Sequence, residues 1–237
     1  MKIFPVAILA GGLATRLRPM TEQIPKSLIE VAGKAFICHQ LDYLQAQGVV
    51  KVVLCTGYLG EMIEKVVGSG SQWGMDISYS MDGSILLGTG GAIKKALPLL
   101  GESFFILYGD SYLPINYKAV QSAFIKTGKS GLMTIMKNVD QWDSSNVIYL
   151  NGNIIEYNKY NKMPDMDYID YGLGVLGANQ VDDLFNQKPP FDLAEIYHKL
   201  SLRSELANYV VTRRFYEIGS YAGIAETEAY LLENDIK

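Results

Sequence analysis

The 237 residues, 49% of them apolar and 19% charged, suffice for a substantial buried core, and that balance excludes a disordered chain. A formal net charge of −4, with no basic run longer than a dipeptide, argues against a nucleic-acid partner. No apolar stretch has signal-peptide form or membrane-spanning length, and Cys38 and Cys55 lack metal or redox spacing and read as buried free thiols; a cytoplasmic protein away from the membrane is expected.

In chain order, a buried parallel strand is predicted over residues 3–9, ending in the glycine pair Gly11-Gly12. Adjacent glycines let backbone N–H groups approach an anion closely, and Arg16, Arg18 and the Pro25-Lys26 step add charge nearby. Helical spacing of Ile37, Leu41 and Leu44 predicts a helix over 36–47, closed by Gly48. A second strand follows over 49–55, a helix over 59–67 and a short third strand over 77–80. Gly88-Thr89-Gly90-Gly91 opens an amphipathic stretch carrying Ile93, Ala96, Leu97 and Leu100. A fourth strand over 104–108 ends at Gly109-Asp110. Strands alternating with helices at this interval predict βαβ crossovers and a parallel sheet. The ligand edge of such a sheet lies off the strands' carboxyl ends, which places Gly11-Gly12 and Asp110 on the same edge.

The second half reads differently. Short strands are predicted over 131–136, 147–150, 154–157 and 172–177, with few long helices between them, and Asn151-Gly152 marks a hairpin. Helices over 191–200 and 224–232 flank a strand near 209–215. With no linker or internal repeat, one domain is expected, with a nucleotide half of about residues 1–112 and a mixed-sheet substrate half of about 113–237.

Several nucleotide motifs fail on inspection. Gly11 to Arg16 and Gly88 to Ile93 each lack the third glycine of a dinucleotide fingerprint, and Gly128-Lys129-Ser130 lacks the leading glycine of a P-loop. Lys26, on a segment stiffened by Pro25, reads as a phosphate-binding point charge. Asp110 stands where a divalent cation meets a bound phosphate, or else caps a turn. The Gly88–Thr89 loop offers close backbone approach and a hydroxyl to a base or ribose, or is an ordinary glycine-rich helix start. Glu217 is a second cation ligand or a surface carboxylate. Asp82, just before that loop, is placed to accept N–H groups of guanine, or caps a turn. His39 and His198 read as packing or surface residues. Tyr157, Tyr160, Tyr168 and Tyr171, with Lys159 and Lys162, form either a grip on a sugar phosphate or half-buried sheet positions.

Together these blocks resemble a family. Residues 9–19 (LAGGLATRLRP), Pro25-Lys26-Ser27-Leu28, Leu87-Gly88-Thr89-Gly90-Gly91-Ala92, Tyr108-Gly109-Asp110 and Glu217-Ile218-Gly219-Ser220 are similar, in order, to the signature of sugar-1-phosphate nucleotidylyltransferases. Length and the LGTGGA loop look most like the compact bacterial heptose-1-phosphate guanylyltransferases and N-acetylmuramate-1-phosphate uridylyltransferases. The resemblance implies a three-layer, Rossmann-like α/β nucleotidyltransferase fold, with a mixed, mainly parallel central sheet and a small additional sheet at the sugar site. It implies that Leu9, Ala10, Gly11, Gly12 and Thr15 hold the nucleotide together with Gly88, Thr89 and Gly109, to which Asp82 is added on its position alone. Arg16 would grip the departing pyrophosphate and Lys26 stabilise phosphate charge, with Asp110 and Glu217 holding Mg²⁺. Lys159 would contact the sugar phosphate near Gly172, with Lys162 as its rival.

Three positions depart from the family pattern: Ala14 for a glycine, Ser27 for a proline and Glu217 for an aspartate. The implied reaction joins an NTP and a sugar 1-phosphate into an NDP-sugar and pyrophosphate for cell-surface polysaccharide precursors; Asp82 tilts the base towards GTP, with a heptose or hexose 1-phosphate, and a uridylyl- or cytidylyltransferase of the same family is the alternative. A non-catalytic nucleotide-sugar-binding regulator is the alternative from another class, disfavoured because Arg16, Lys26 and Asp110 are all present. The sugar is not legible, and the oligomeric state stays open, a homo-oligomer included.

Overall fold

The computed structural model describes residues 1–234, apart from the side chains of 180–182; the last three residues of the expected second half therefore lie outside the described residues. β1 (Val6–Ala10) leads through short 3-10 turns to the hairpin of β2 (Glu30–Val31) and β3 (Lys34–Ala35), then α1 (Phe36–Ala46). β4 (Lys51–Thr56), α2 (Gly60–Val67), β5 (Asp76–Met81), α3 (Gly88–Leu100) and β6 (Ser103–Tyr108) complete an alternating first half. β7 (Ser111–Tyr112), α4 (Tyr117–Thr127) and β8 (Gly131–Lys137) follow, then the hairpin β9 (Val147–Leu150) and β10 (Asn153–Tyr157). The chain continues through β11 (Tyr168–Gly177), α5 (Ala178–Val181), α6 (Leu193–Leu202), β12 (Leu206–Val211), β13 (Tyr216–Glu217) and α7 (Tyr221–Asn234).

One mixed, mainly parallel sheet runs β12-β8-β11-β6-β1-β4-β5, with the β9–β10 hairpin joined to β11 at Tyr168. β6, β1, β4 and β5 are parallel, and β11 runs antiparallel between β6 and β8. The chain leaves β1 first towards β4 and later returns to its other side as β6, which makes the β1–β6 gap a topological switch point.

Side chains alternate across the strands into two cores. Val6, Ile8, Val52, Leu54, Phe105 and Leu107 face the layer of α1, α2 and α4, while Ala7, Val53, Phe104 and Ile106 face α3 and α6. This is a three-layer α/β sandwich. A third cluster, built from Leu17, Ile29, Val31, Phe36, Ile218 and Leu231, ties the segment after β1 to α7. Two small sheets stand apart from the main one, β2–β3 and β7–β13. No helix among the described residues is long and apolar enough to cross a membrane.

Three expectations are corrected, and one helix is added. β1 starts at Val6 rather than residue 3, because the Phe4 N–H donates to Gln121 Oε1 at 2.8 Å and Pro5 has no N–H to give. A long helix, α4, fills residues 117–127, where no element was predicted; it buries Tyr117, Val120 and Phe124, is capped by Asn116 Oδ1 and ends at the left-handed Gly128. β11 begins at Tyr168 rather than residue 172, with a bulge between Asp170 and Gly174. β12 ends at Val211 rather than 215, where its partner β8 runs out and the chain turns to stack Arg214 on Trp142, 3.9 Å from the ring centroid.

Candidate active site

Two cavities open off the carboxyl ends of β1 and β6, and Tyr108, the last residue of β6, lines both. The first, about 260 Å³, takes its floor from Leu9, Ala10, Gly11 and Gly12 after β1 and Gly109-Asp110 after β6. Lys26 and Ser27 form one wall; Asp82, Gly88 and Thr89 form another. The N–H groups of Gly12 and Leu13 have no acceptor among the described residues, so the loop is free to receive an anion. Thr15 and Arg16 are exposed and lie outside this lining.

Ala14, the first departure from the family pattern, sits in the left-handed region at φ 48°, ψ 44°, where its carbonyl accepts from Leu17 N (3.1 Å) and Thr21 Oγ1 (2.8 Å). An alanine there costs about 1–2 kcal/mol, part of which glycine would return through its freer unfolded chain. Ala14→Gly is expected to stabilise the protein by about 0.5–1 kcal/mol, raising Tm by roughly 2 °C in a thermal melt. A lowered Tm would show that the loop is not held in this conformation.

Charge gathers between the cavities. Lys26 Nζ pairs with Asp110 Oδ2 at 2.9 Å, both largely shielded, and Ser111 Oγ donates to Asp110 Oδ1 at 3.2 Å. Register in the β7–β13 sheet sets Glu217 opposite Ser111, and Ile218 N donates to the Asp110 carbonyl at 2.9 Å. Asp110 on the first cavity and Glu217 on the second are thereby held side by side. A side chain on Gly219 would meet both the Glu217 carboxylate and the Arg16 guanidinium, so Arg16 lies beside Glu217. Burial and then the neighbouring Asp110 charge push the Glu217 carboxyl up, against the pull of Arg16, Lys26 and the Gly219 N–H. Two neighbouring like charges fit a divalent cation. Among the described residues no cluster of three or more His, Cys, Asp or Glu offers a fuller site, and Mg²⁺ typically asks only one or two carboxylates of the protein.

The second cavity, about 650 Å³, is lined by Lys159, Gly172, Asp170, Tyr157 and Tyr171 among others. Lys162 does not reach it and pairs with Asp140 instead. Tyr160 donates to Asp192 and Tyr168 packs on Tyr149, so only Tyr157 and Tyr171 of the four tyrosines line the cavity. His39 and His198 hydrogen-bond the carbonyls of Val31 and Tyr157, outside both linings, in the packing roles expected of them.

The glycines of the second loop have a reason the sequence did not disclose. Gly88, at φ +73°, brings its Cα against Phe191, where a Cβ would lie 2.5 Å from the Phe191 carbonyl oxygen. Gly90 N donates to that carbonyl at 3.0 Å, and Phe191 N donates to Leu87 O at 3.1 Å. The Thr89 hydroxyl, offered above to a base or ribose, donates to Asp192 Oδ1 and accepts from Leu193 N, both at 2.8 Å. The loop is thus stitched to the start of α6. Asp82 lines the first cavity and also closes the turn before the loop: its Oδ2 accepts from Leu87 N at 3.0 Å. Burial raises its pKa.

Two carboxylates escaped the sequence reading. Asp170 sits at the β11 bulge, pushed up to about 6 by burial while the Gly172 N–H and Lys159 pull the other way. Its signal was an aspartate inside an apolar run. Asp192 had a clearer one, an Asp-x-x-Glu pattern before an apolar helix, but that pattern marks a cap and says nothing of Lys159.

A family model described as nucleotidyl transferase matches residues 6–145. An N-acetylmuramate alpha-1-phosphate uridylyltransferase from Neisseria meningitidis serogroup B is 41% identical over 47% of this chain and 49% of its own. The catalytic subunit beta of a mannose-1-phosphate guanylyltransferase from Dictyostelium discoideum is 30% identical over 84% of this chain and 56% of its own. The chain thus spans about half the length of these curated relatives. The structure of HddC from Yersinia pseudotuberculosis, complexed with GMP-PN, superposes with a TM-score of 0.77 at 23% identity, covering 97% of this chain and 100% of that one; at that identity it shows a shared fold.

Proposed function

The chain belongs to the nucleotidyl transferase family, and from that membership we propose that it transfers a nucleotidyl group from an NTP to a sugar 1-phosphate, releasing pyrophosphate and an NDP-sugar. The observation that carries the reading is the pair of cavities meeting at Tyr108, with Asp110 and Lys26 on one, Glu217 on the other, and the Arg16 charge beside Glu217. The nucleotide takes the first cavity and the sugar phosphate the second. A phosphate oxygen of the sugar 1-phosphate forms a bond to the α-phosphorus, and the bond to the β-phosphate breaks, its electron pair leaving with pyrophosphate. The attacking oxygen is already anionic, so no general base is needed, and neither histidine is placed to be one.

Catalysis is then positioning and charge neutralisation. The Gly12 and Leu13 N–H groups meet the phosphates, Lys26 neutralises them, and Arg16 takes the departing pyrophosphate. Lys159 orients the sugar phosphate. Asp110 and Glu217 hold Mg²⁺, which when bound screens the phosphate charge. The reaction belongs in the cytoplasm, where NTPs and sugar phosphates are available, and supplies precursors for cell-surface polysaccharide.

GTP is the preferred donor. Asp82 lines this cavity and spends Oδ2 on the Leu87 N–H, and its other oxygen is the acceptor proposed for the N–H groups of guanine. UTP is the second reading, favoured by the 41% identity to a uridylyltransferase. Asp82→Ala is expected to lower kcat/KM for GTP relative to UTP about tenfold, the worth of a hydrogen bond to a charged group. Both substrates will suffer from the loosened 82–87 turn, so the ratio is the readout; an unchanged ratio removes the guanine contact. The reaction itself is tested by pyrophosphate release with Mg²⁺, crossing four NTPs with α-1-phosphates of glucose, mannose, N-acetylmuramate and manno-heptose. Nucleotide binding with no turnover on any pair, and no dependence on Mg²⁺, would make the chain a regulator.

A further inference from the structure

We infer that Asp192 is a positioning residue: one of its carboxylate oxygens holds the Lys159 ammonium at the second cavity, while the other clamps the Gly88–Thr89 loop of the first. The inference rests on the reading above, in which Lys159 meets the sugar phosphate.

The division of labour is visible in the hydrogen bonds. Asp192 Oδ1 accepts from Ala194 N at 3.0 Å and Thr89 Oγ1 at 2.8 Å. That oxygen alone satisfies the helix cap and the loop. Asp192 Oδ2 accepts from Lys159 Nζ at 2.5 Å and Tyr160 OH at 2.8 Å, two bonds that capping does not require. These four donors outweigh the cost of burial and hold the Asp192 carboxyl down to about 2, so it stays ionised at any working pH. Thr89 lines the first cavity and Lys159 the second, so one side chain reaches elements of both.

A free lysine has many rotamers, and fixing it on binding costs affinity. Here Asp192 fixes it beforehand. An ammonium has three N–H donors; one points at Asp192 Oδ2, and the remainder are left for phosphate oxygens. The same device appears in the first cavity, where Asp110 holds Lys26 at 2.9 Å.

The test is Asp192→Asn, with the sugar 1-phosphate and NTP that the wild type uses. Asparagine caps helices well and keeps an acceptor for Ala194 and Thr89, but it loses the charge facing Lys159. The expected result is a roughly tenfold higher KM for the sugar 1-phosphate, with KM for the NTP unchanged. In a Lys159→Met background, Asp192→Asn should add nothing to the sugar KM, since the group it positions is gone. An unchanged sugar KM in the single variant overturns the inference. So does a rise that persists undiminished beside Lys159→Met, because it marks a purely structural role. If the wild type turns over no sugar 1-phosphate at all, the function proposed above falls and this inference with it; in the first two outcomes that function stands.

Discussion

Asp110→Asn is expected to reduce kcat by about 10³-fold, the scale on which single preorganised electrostatic groups act, and to leave the fold intact. The substitution is nearly isosteric. It keeps an oxygen to accept from Ser111, and the Asp110 backbone carbonyl that receives the Ile218 N–H is untouched, so the β7–β13 sheet and Glu217 stay in place. What changes is charge. Lys26 loses the counter-ion 2.9 Å away, and Glu217 loses the like charge that helps push it up. The stability cost is modest, about 1–2 kcal/mol, between that of an exposed pair and a fully buried one, and a thermal melt will separate it from the loss of turnover. In the proposed reaction the damage is to phosphate positioning, so nucleotide binding in the absence of Mg²⁺ should change little. Wild-type turnover by Asp110→Asn in saturating Mg²⁺ would remove this carboxylate from the active site.

The parts of this site that were legible in the sequence are those in which one short segment carries both the structure and the chemistry. β1 and its glycine pair, β6 and Asp110, and Lys26 behind its proline each announce themselves within about ten residues. The alternating first half then brings them to one edge by topology alone. The second half resisted because its logic is tertiary. β11 reverses direction between two parallel strands and bulges at Asp170, and nothing local in 168–177 encodes that arrangement. α4 carries a helical pattern and an asparagine cap, yet it lies among segments that read as strands. The pattern at Asp192 could have marked a helix cap, but nothing local pointed to Lys159, 33 residues away. Gly88-Thr89-Gly90-Gly91 is the sharpest case. A glycine needed for close approach reads the same whether the approaching group is a ligand or another part of the chain.

That ambiguity has a measurable consequence at Gly88, where alanine is expected to cost about 3 kcal/mol and lower Tm by roughly 8 °C. Two penalties combine. The residue sits at φ +73°, where an L side chain pays about 1–2 kcal/mol. Its Cβ would also lie 2.5 Å from the Phe191 carbonyl oxygen and 3.0 Å from the Phe191 nitrogen. Those are backbone atoms, which cannot swing aside as a flexible side chain would, so the 191–192 segment must move. Moving it strains the Gly90 N–H bond to Phe191 O and the Thr89 bonds to Asp192 and Leu193. The damage should therefore reach function along a defined route. Thr89 and Gly88 line the first cavity and Asp192 holds Lys159, so KM should rise for both proposed substrates, unlike the sugar-only effect expected of Asp192→Asn. If glycine were needed here only to admit a base, Gly88→Ala would weaken nucleotide binding and leave Tm near the wild-type value. A melt and two KM values are enough to tell packing from ligand access.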